Sequence, residues 1–167
     1  FVSFFEVFIQ SGAILAVVLL YWRTVLKHRE KKKKIIISFI PTAIIGLLMR
    51  DTIKDVFFHS NLLIAYSLIG VGALFIVVEL FVKKGKLKLT RSLKDMTYQD
   101  AFLAGIIQAT AIFPGVSRAG AVIIGMMFMK FKRSEAALYS FLLAVPTILG
   151  ASAFDFIKTD LSVLTRD

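Results

Sequence analysis

The sequence contains no cysteine, which excludes disulfides and thiolate metal sites. It contains two histidines, His28 and His59, far apart and without acids at ligand spacing. They make no metal site and read as solvated loop residues. Acids are scarce as well: 11 Asp and Glu stand against 21 Lys and Arg, a net charge of +10. There is no flexible domain linker and no low-complexity stretch beyond one lysine run. There is no signal peptide, and residue 1 is not methionine. The chain opens in apolar sequence, so a fragment whose start lies upstream is expected.

Apolar residues are abundant instead. They make up 57% of the chain, and the mean hydropathy is +0.79. A soluble domain of this length has nearer half apolar residues and more charge, so a membrane protein is expected. The charge is also segregated. Residues 23–34 hold seven basic residues and one acid, Glu30, and residues 83–94 hold six basic residues and no acid. Basic loops beside apolar spans follow the positive-inside rule, which makes both cytoplasmic. They lack the aromatic interleaving that nucleic-acid binding would favour, so no nucleic acid is expected.

The apolar runs predict an all-α, multi-span helical bundle in a single transmembrane domain. The first span is residues 4–22, with Glu6, Gln10 and Ser11 near its outer end and Tyr21 and Trp22 at an interface. The second, 35–49, is short and contains Pro41 and Gly46, which suggests tilt or a break. Residues 50–60 carry balanced charge and are placed outside. The third span, 61–82, has the length a crossing needs and carries Gly70, Gly72 and Ala73 for close packing. The last, 136–157, contains Pro146 and Gly150, and the polar tail after it lies outside. The 16 phenylalanines are lipid-facing and packing material.

Residues 98–131 break the pattern. Two apolar runs, 101–113 and 121–129, flank Pro114-Gly115-Val116-Ser117-Arg118-Ala119-Gly120. Thirteen helical residues reach about 20 Å, against about 30 Å of hydrocarbon. The segment therefore predicts a re-entrant helix–turn–helix hairpin. Irregular backbone at membrane depth is tolerated only inside protein or beside a wet cavity. An arginine there is costly unless it meets an anion or a partner. A helix starting just after the turn aims free N–H groups at such an anion. The turn therefore reads as a phosphate site.

Arg118 is the leading candidate, because its planar fork can hold two phosphate oxygens. The alternative is an arginine that snorkels or pairs with a buried acid, which its place between half-helices disfavours. Ser117 is a candidate phosphate contact or nucleophile, and equally a helix N-cap. Pro114, Gly115 and Gly120 shape the turn and let backbone approach a ligand. Gln108, inside an apolar half-helix, either orients a ligand or bonds across helices. Glu79 reads as a helix-end carboxylate facing the lysine loop.

The turn resembles the second signature of the bacterial undecaprenyl-diphosphate phosphatases of the bacitracin-resistance type, Pro-Gly-x-Ser-Arg-Ser-Gly-x-Thr. Further resemblances run in order through residues 5–12, 51–54, 95–98 and 140–146 and cover nearly all of the chain. The resemblance implies a multi-pass enzyme of the bacterial inner membrane. It would hydrolyse undecaprenyl diphosphate to the monophosphate carrier lipid of peptidoglycan synthesis and so confer bacitracin resistance. It implies half of an inverted-repeat architecture, in which two re-entrant hairpins meet at the site. Arg118 would clamp the diphosphate and Ser117 would contact the scissile phosphate. Glutamates and a histidine of a first, Glu-rich Pro-x-Ser-Ser-Thr-Gly-His signature would supply acid–base work with a divalent cation, magnesium or calcium. That signature is expected upstream of residue 1, and further helices after residue 167, so the fragment alone is expected to be inactive. The partners expected are the polyprenyl diphosphate substrate, membrane lipids and a second copy in a homodimer. Two departures stand out: Ala119 replaces the signature's second serine and Val122 its threonine.

A transporter or flippase for a phosphorylated lipid or another anion is the alternative, since broken helices near the midplane suit transport too. A scaffold without a ligand leaves Arg118 unexplained.

Overall fold

The computed structural model describes the backbone of residues 29–56 and 61–158, with side chains across 30–49 and 62–151, and four positions between residues 12 and 19. Apart from those four positions the expected first span, with the loop residues His28 and His59 and the tail after residue 158, lies outside the described residues. Among the described residues the fold shows five α-helices with full bounds: α1 (Arg29–Val56), α2 (Asn61–Lys83), α3 (Tyr98–Ala109), α4 (Arg118–Phe128) and α5 (Arg133–Lys158). Among the described residues there is no strand, only an isolated bridge between Arg91 and Phe131.

Among the described residues, two helices have stretches long and apolar enough to cross a membrane: Leu62–Lys83, with 22 residues, and Arg133–Ala151, with 19. The helix through residues 35–49 is longer than the apolar run alone. It spans 28 residues, so part of the basic segment and residues 50–56 are helical rather than loop. Charge marks where a chain leaves an apolar environment, not where its helix ends. Lysine and glutamate are good helix formers, and Glu30 sits favourably in the first turn. Pro41 does not break α1, and Pro146 does not break α5.

α1 packs chiefly on α3, α4 on α5, and α2 on α4. The α1–α3 contact is close at Gly105. A Cβ there would overlap the Ser38 carbonyl and stand 2.6 Å from Pro41 Cγ, so no larger residue fits without separating the helices. Hydroxyls join the same seam. Thr42 Oγ1 donates to the Gly105 carbonyl at 2.9 Å, and Ser38 Oγ donates to the Ala101 carbonyl at 2.5 Å. Tyr139 of α5 brings its Oη within 2.6 Å of Ser38 Oγ.

The core is thickest at the lysine-rich end, where Leu93, Met96, Phe131, Ala136 and Tyr139 are buried. The described basic residues Lys31–Lys34, those of 83–94 and those of 130–133 gather there. Tyr98 Oη donates to Glu30 at 2.6 Å, tying α3 to the start of α1, and this bond holds the Glu30 carboxyl below its ordinary range. Arg133 at the start of α5 pairs with Glu79 near the end of α2 at 2.6 Å. Glu79 thus meets an arginine at the start of α5 rather than the lysine loop.

Candidate functional site

α3 and α4 form the hairpin that carries the Ser–Arg turn. α3 starts at a capping box. Thr97 Oγ1 accepts from the Asp100 N–H at 3.1 Å, and an Asp100 oxygen accepts from the Thr97 N–H at 2.8 Å. The helix tightens after Ala109 into a 3₁₀ turn, Thr110–Ile112, and stops. Pro114 explains the stop, because a proline drives the preceding residue out of the α region. Phe113 is accordingly extended, at φ −68° and ψ 127°.

The tip is a turn closed by the Val116 N–H donating to the Phe113 carbonyl at 3.1 Å. Gly115 lies in it at φ +88°, where a side chain is strained. It also abuts α2: a Cβ there would stand 2.6 Å from the Ile64 carbonyl oxygen. The tip therefore reaches the end of α2 opposite the lysines. From residue 64 to Glu79 is about 22 Å along a helix.

Ser117 is extended and caps α4, its Oγ accepting from the Gly120 N–H at 3.2 Å. This is the capping role, and it leaves the exposed hydroxyl free to donate. Arg118 is the first residue of α4 and is half-buried. It forms no ion pair or hydrogen bond among the described residues. Its charge thus stands at the positive end of an 11-residue helix, with no ion-paired acid among the described residues. Gly120 is buried one turn in, with the Phe75 ring of α2 beside it. Helix end, guanidinium and hydroxyl share one sign of potential, which is an arrangement for binding an anion.

Gln108 does not join this group. It is buried between α1 and α5, where its Nε2 donates to Thr147 Oγ1 at 2.8 Å and to Thr42 Oγ1 at 3.3 Å. Its Oε1 is buried and has no hydrogen-bond partner among the described residues. Of the two roles open from sequence, the structure shows the cross-helix bond. Among the described residues there is also no group of three or more His, Asp or Glu able to hold a metal ion.

Sequence reasoning missed Arg91, which holds both feet of the hairpin. Its guanidinium donates to Asp100 Oδ2 at 2.5 Å and Oδ1 at 3.1 Å, and to the Met129 carbonyl at 3.1 Å. The same group lies 4.3 Å from the centroid of the Phe131 ring. Its backbone bridges the loop after α4, with Arg91 N–H donating to the Lys130 carbonyl and Lys132 N–H to the Arg91 carbonyl. Partial burial pushes the Asp100 carboxyl up. The bonds from Arg91 and Thr97 outweigh it and hold the carboxyl below its ordinary range. Arg91 looked like one more charge in a basic loop, and nothing local sets it apart.

The family model for bacitracin resistance protein BacA matches residues 1–166. The chain is 46% identical over 154 residues to an undecaprenyl-diphosphatase of Persephonella marina, a match covering 92% of this chain and 59% of the relative. It is 41% identical over 159 residues to an undecaprenyl-diphosphatase of Aquifex aeolicus, covering 95% and 61%. An undecaprenyl-diphosphatase of Bdellovibrio bacteriovorus is 40% identical over 161 residues, covering 95% and 59%. The chain thus spans about three-fifths of the length of the curated relatives it matches.

Proposed function

Because this chain belongs to the bacitracin resistance protein BacA family, we propose that it forms the anion-holding part of a membrane phosphatase. The substrate is undecaprenyl diphosphate, and the products are undecaprenyl phosphate and inorganic phosphate. The observation that carries this reading is Arg118 at the N-terminus of α4, without an ion pair among the described residues, beside the Ser117 hydroxyl.

The architecture in this proposal is a multi-pass protein of the bacterial inner membrane. α2 and α5 cross the bilayer, and α3 and α4 enter and return as a re-entrant hairpin, one half of an inverted repeat. The lysine-rich end faces the cytoplasm, so the tip of the hairpin sits toward the outer face. The diphosphate head group of a lipid in the outer leaflet lies at that depth.

Each residue has a physical role. Arg118 grips non-bridging oxygens of the diphosphate and neutralises charge as the terminal phosphorus is attacked by water. The bond broken joins that phosphorus to the bridging oxygen, which leaves with the lipid monophosphate. Ser117 donates to a phosphate oxygen while its lone pair still caps α4. Gly115 and Pro114 hold the tip in the conformation that presents Ser117. The groups that move protons, and any divalent cation, belong outside the described residues.

The test is phosphate release from undecaprenyl diphosphate by the intact gene product in detergent, with a divalent cation supplied. Arg118→Lys keeps the charge and loses the two-point fork. One charge-assisted hydrogen bond is worth about 1.5–3 kcal/mol. Losing it slows turnover about 10- to 150-fold if it acts in the transition state. Near-normal release by this variant overturns Arg118 as the phosphate clamp. Phosphate release also separates the enzyme from a carrier, since transport leaves the diphosphate intact.

A further inference from the structure

Resting on the phosphatase reading above, we propose that the groove between α2 and the α3–α4 hairpin holds the first isoprene units of the substrate's prenyl chain. The groove has a volume of about 370 Å³, within the range of about 300–1,000 Å³ usual for small-molecule sites. Its walls include Leu74 of α2, Leu103 and Ile107 of α3, and Ile124 and Phe128 of α4. Among the described residues, the one polar side chain lining it is that of Thr110, near the tip.

Three observations select a prenyl chain as the occupant. The groove begins at the anion site, because Val116 and Ala121 line it and flank the segment from Ser117 to Gly120 in sequence. It then runs away from that site along the hairpin, from Thr110 back to Leu103 and from Ala121 on to Phe128, about 10 Å on each helix. A head group at Arg118 therefore has an apolar path leading toward the lysine-rich end, and so into the bilayer. Finally, the groove is built rather than incidental. Leu74, Leu103 and Phe128 are each about half exposed (49%, 47% and 47%) although they face one another across it. α2 touches the hairpin through Gly115, against Ile64, and through Gly120, against Phe75, and its far end is tied to the start of α5 by the Glu79–Arg133 pair. A branched apolar chain tethered to a diphosphate matches both ends of this surface, whereas a free phosphate would use the tip alone.

The experiment compares two substrates in the intact gene product: undecaprenyl diphosphate and a five-carbon prenyl diphosphate. Leu74→Trp and Leu103→Trp fill the groove from opposite walls. A methylene-sized misfit in an apolar pocket changes selectivity by roughly 10- to 200-fold. The expected result is a fall of about 10-fold or more in the ratio of kcat/KM for the long substrate to that for the short one. The loss enters through KM for the long substrate. Ile76→Trp, on an exposed position of α2 that does not line the groove, leaves the ratio unchanged. An unchanged ratio in folded Leu74→Trp and Leu103→Trp overturns the proposal. A second measurement needs no variant. A prenyl diphosphate bearing a diazirine on its second isoprene unit is photolysed with the parent protein, and the labelled peptides are mapped. Label in residues 71–74 and 103–128, displaced by undecaprenyl diphosphate, supports the proposal. Label displaced equally by phosphatidylglycerol means an ordinary bilayer lipid fills the groove and overturns it. Absence of label there also overturns it, as when another stretch of polypeptide occupies the space. If the parent releases phosphate from neither substrate, the phosphatase reading fails, and the labelling still reports on the groove separately.

Discussion

Ser117 shows how one side chain serves two ends. Its oxygen accepts from Gly120 and so caps α4, while its proton remains for a ligand. Substitutions separate the two roles. Ser117→Ala removes both and is expected to cost about 1 kcal/mol of stability along with part of the phosphate release. Ser117→Asp keeps the cap but sets a negative charge against the phosphate. It is expected to melt like the parent and release phosphate more slowly than the alanine variant. Parent-level release by Ser117→Asp would mean that the serine only caps, and total loss in Ser117→Ala would mark a nucleophile. Asp100 gives a second residue-scale prediction. Its carboxyl is held below the ordinary value by Arg91 and Thr97 despite partial burial. Its stabilisation is therefore complete above the unfolded value of about 3.9 and disappears as pH falls through the depressed folded one. Asp100→Asn should unfold more easily than the parent at neutral pH, with the gap closing below about pH 4. A gap that stays constant across the acid range would show that the ion pair contributes nothing.

The hairpin is the element on which the site depends, and its ends are determined differently. Its tip is local chemistry: Pro114 stops α3, Gly115 turns the chain at positive φ, and Ser117 starts α4. Gly115→Ala would strain the backbone and drive a Cβ against the Ile64 carbonyl. A destabilisation of more than about 1 kcal/mol is expected, measured by thermal unfolding in detergent, with a loss of phosphate release exceeding the loss of folded protein. Unchanged melting would show that the tip does not need its left-handed residue. The break between two half-length helices was legible from sequence for this reason, and so was the helix start at Ser117 and Arg118. The feet were not. Arg91 reaches Asp100, Met129 and Phe131 from a loop in which every basic residue looked equivalent.

At the scale of the whole molecule, the basic blocks gather at one end and the hairpin tip at the other. This polarity converts a charge pattern into a direction through the membrane. Cysteine substitutions at Lys32 and His59 test it cleanly, since the sequence has no native cysteine. In intact cells an impermeant thiol reagent should label the His59 position and spare the Lys32 position. The reverse pattern would invert the orientation and put the Ser–Arg turn toward the cytoplasm.

The sequence by itself determined the two long apolar stretches, the charged ends, the broken hairpin and the identity of its turn. These depend on apolar length against bilayer thickness and on proline, glycine and serine acting within about four residues. Tertiary structure decided which polar groups meet and where open space remains. Gln108 finds Thr42 across 66 residues of chain and Thr147 across 39. The groove takes its walls from three helices. No periodicity records such meetings, because burial constrains which face of a helix is apolar and leaves its partner to the packing of the whole.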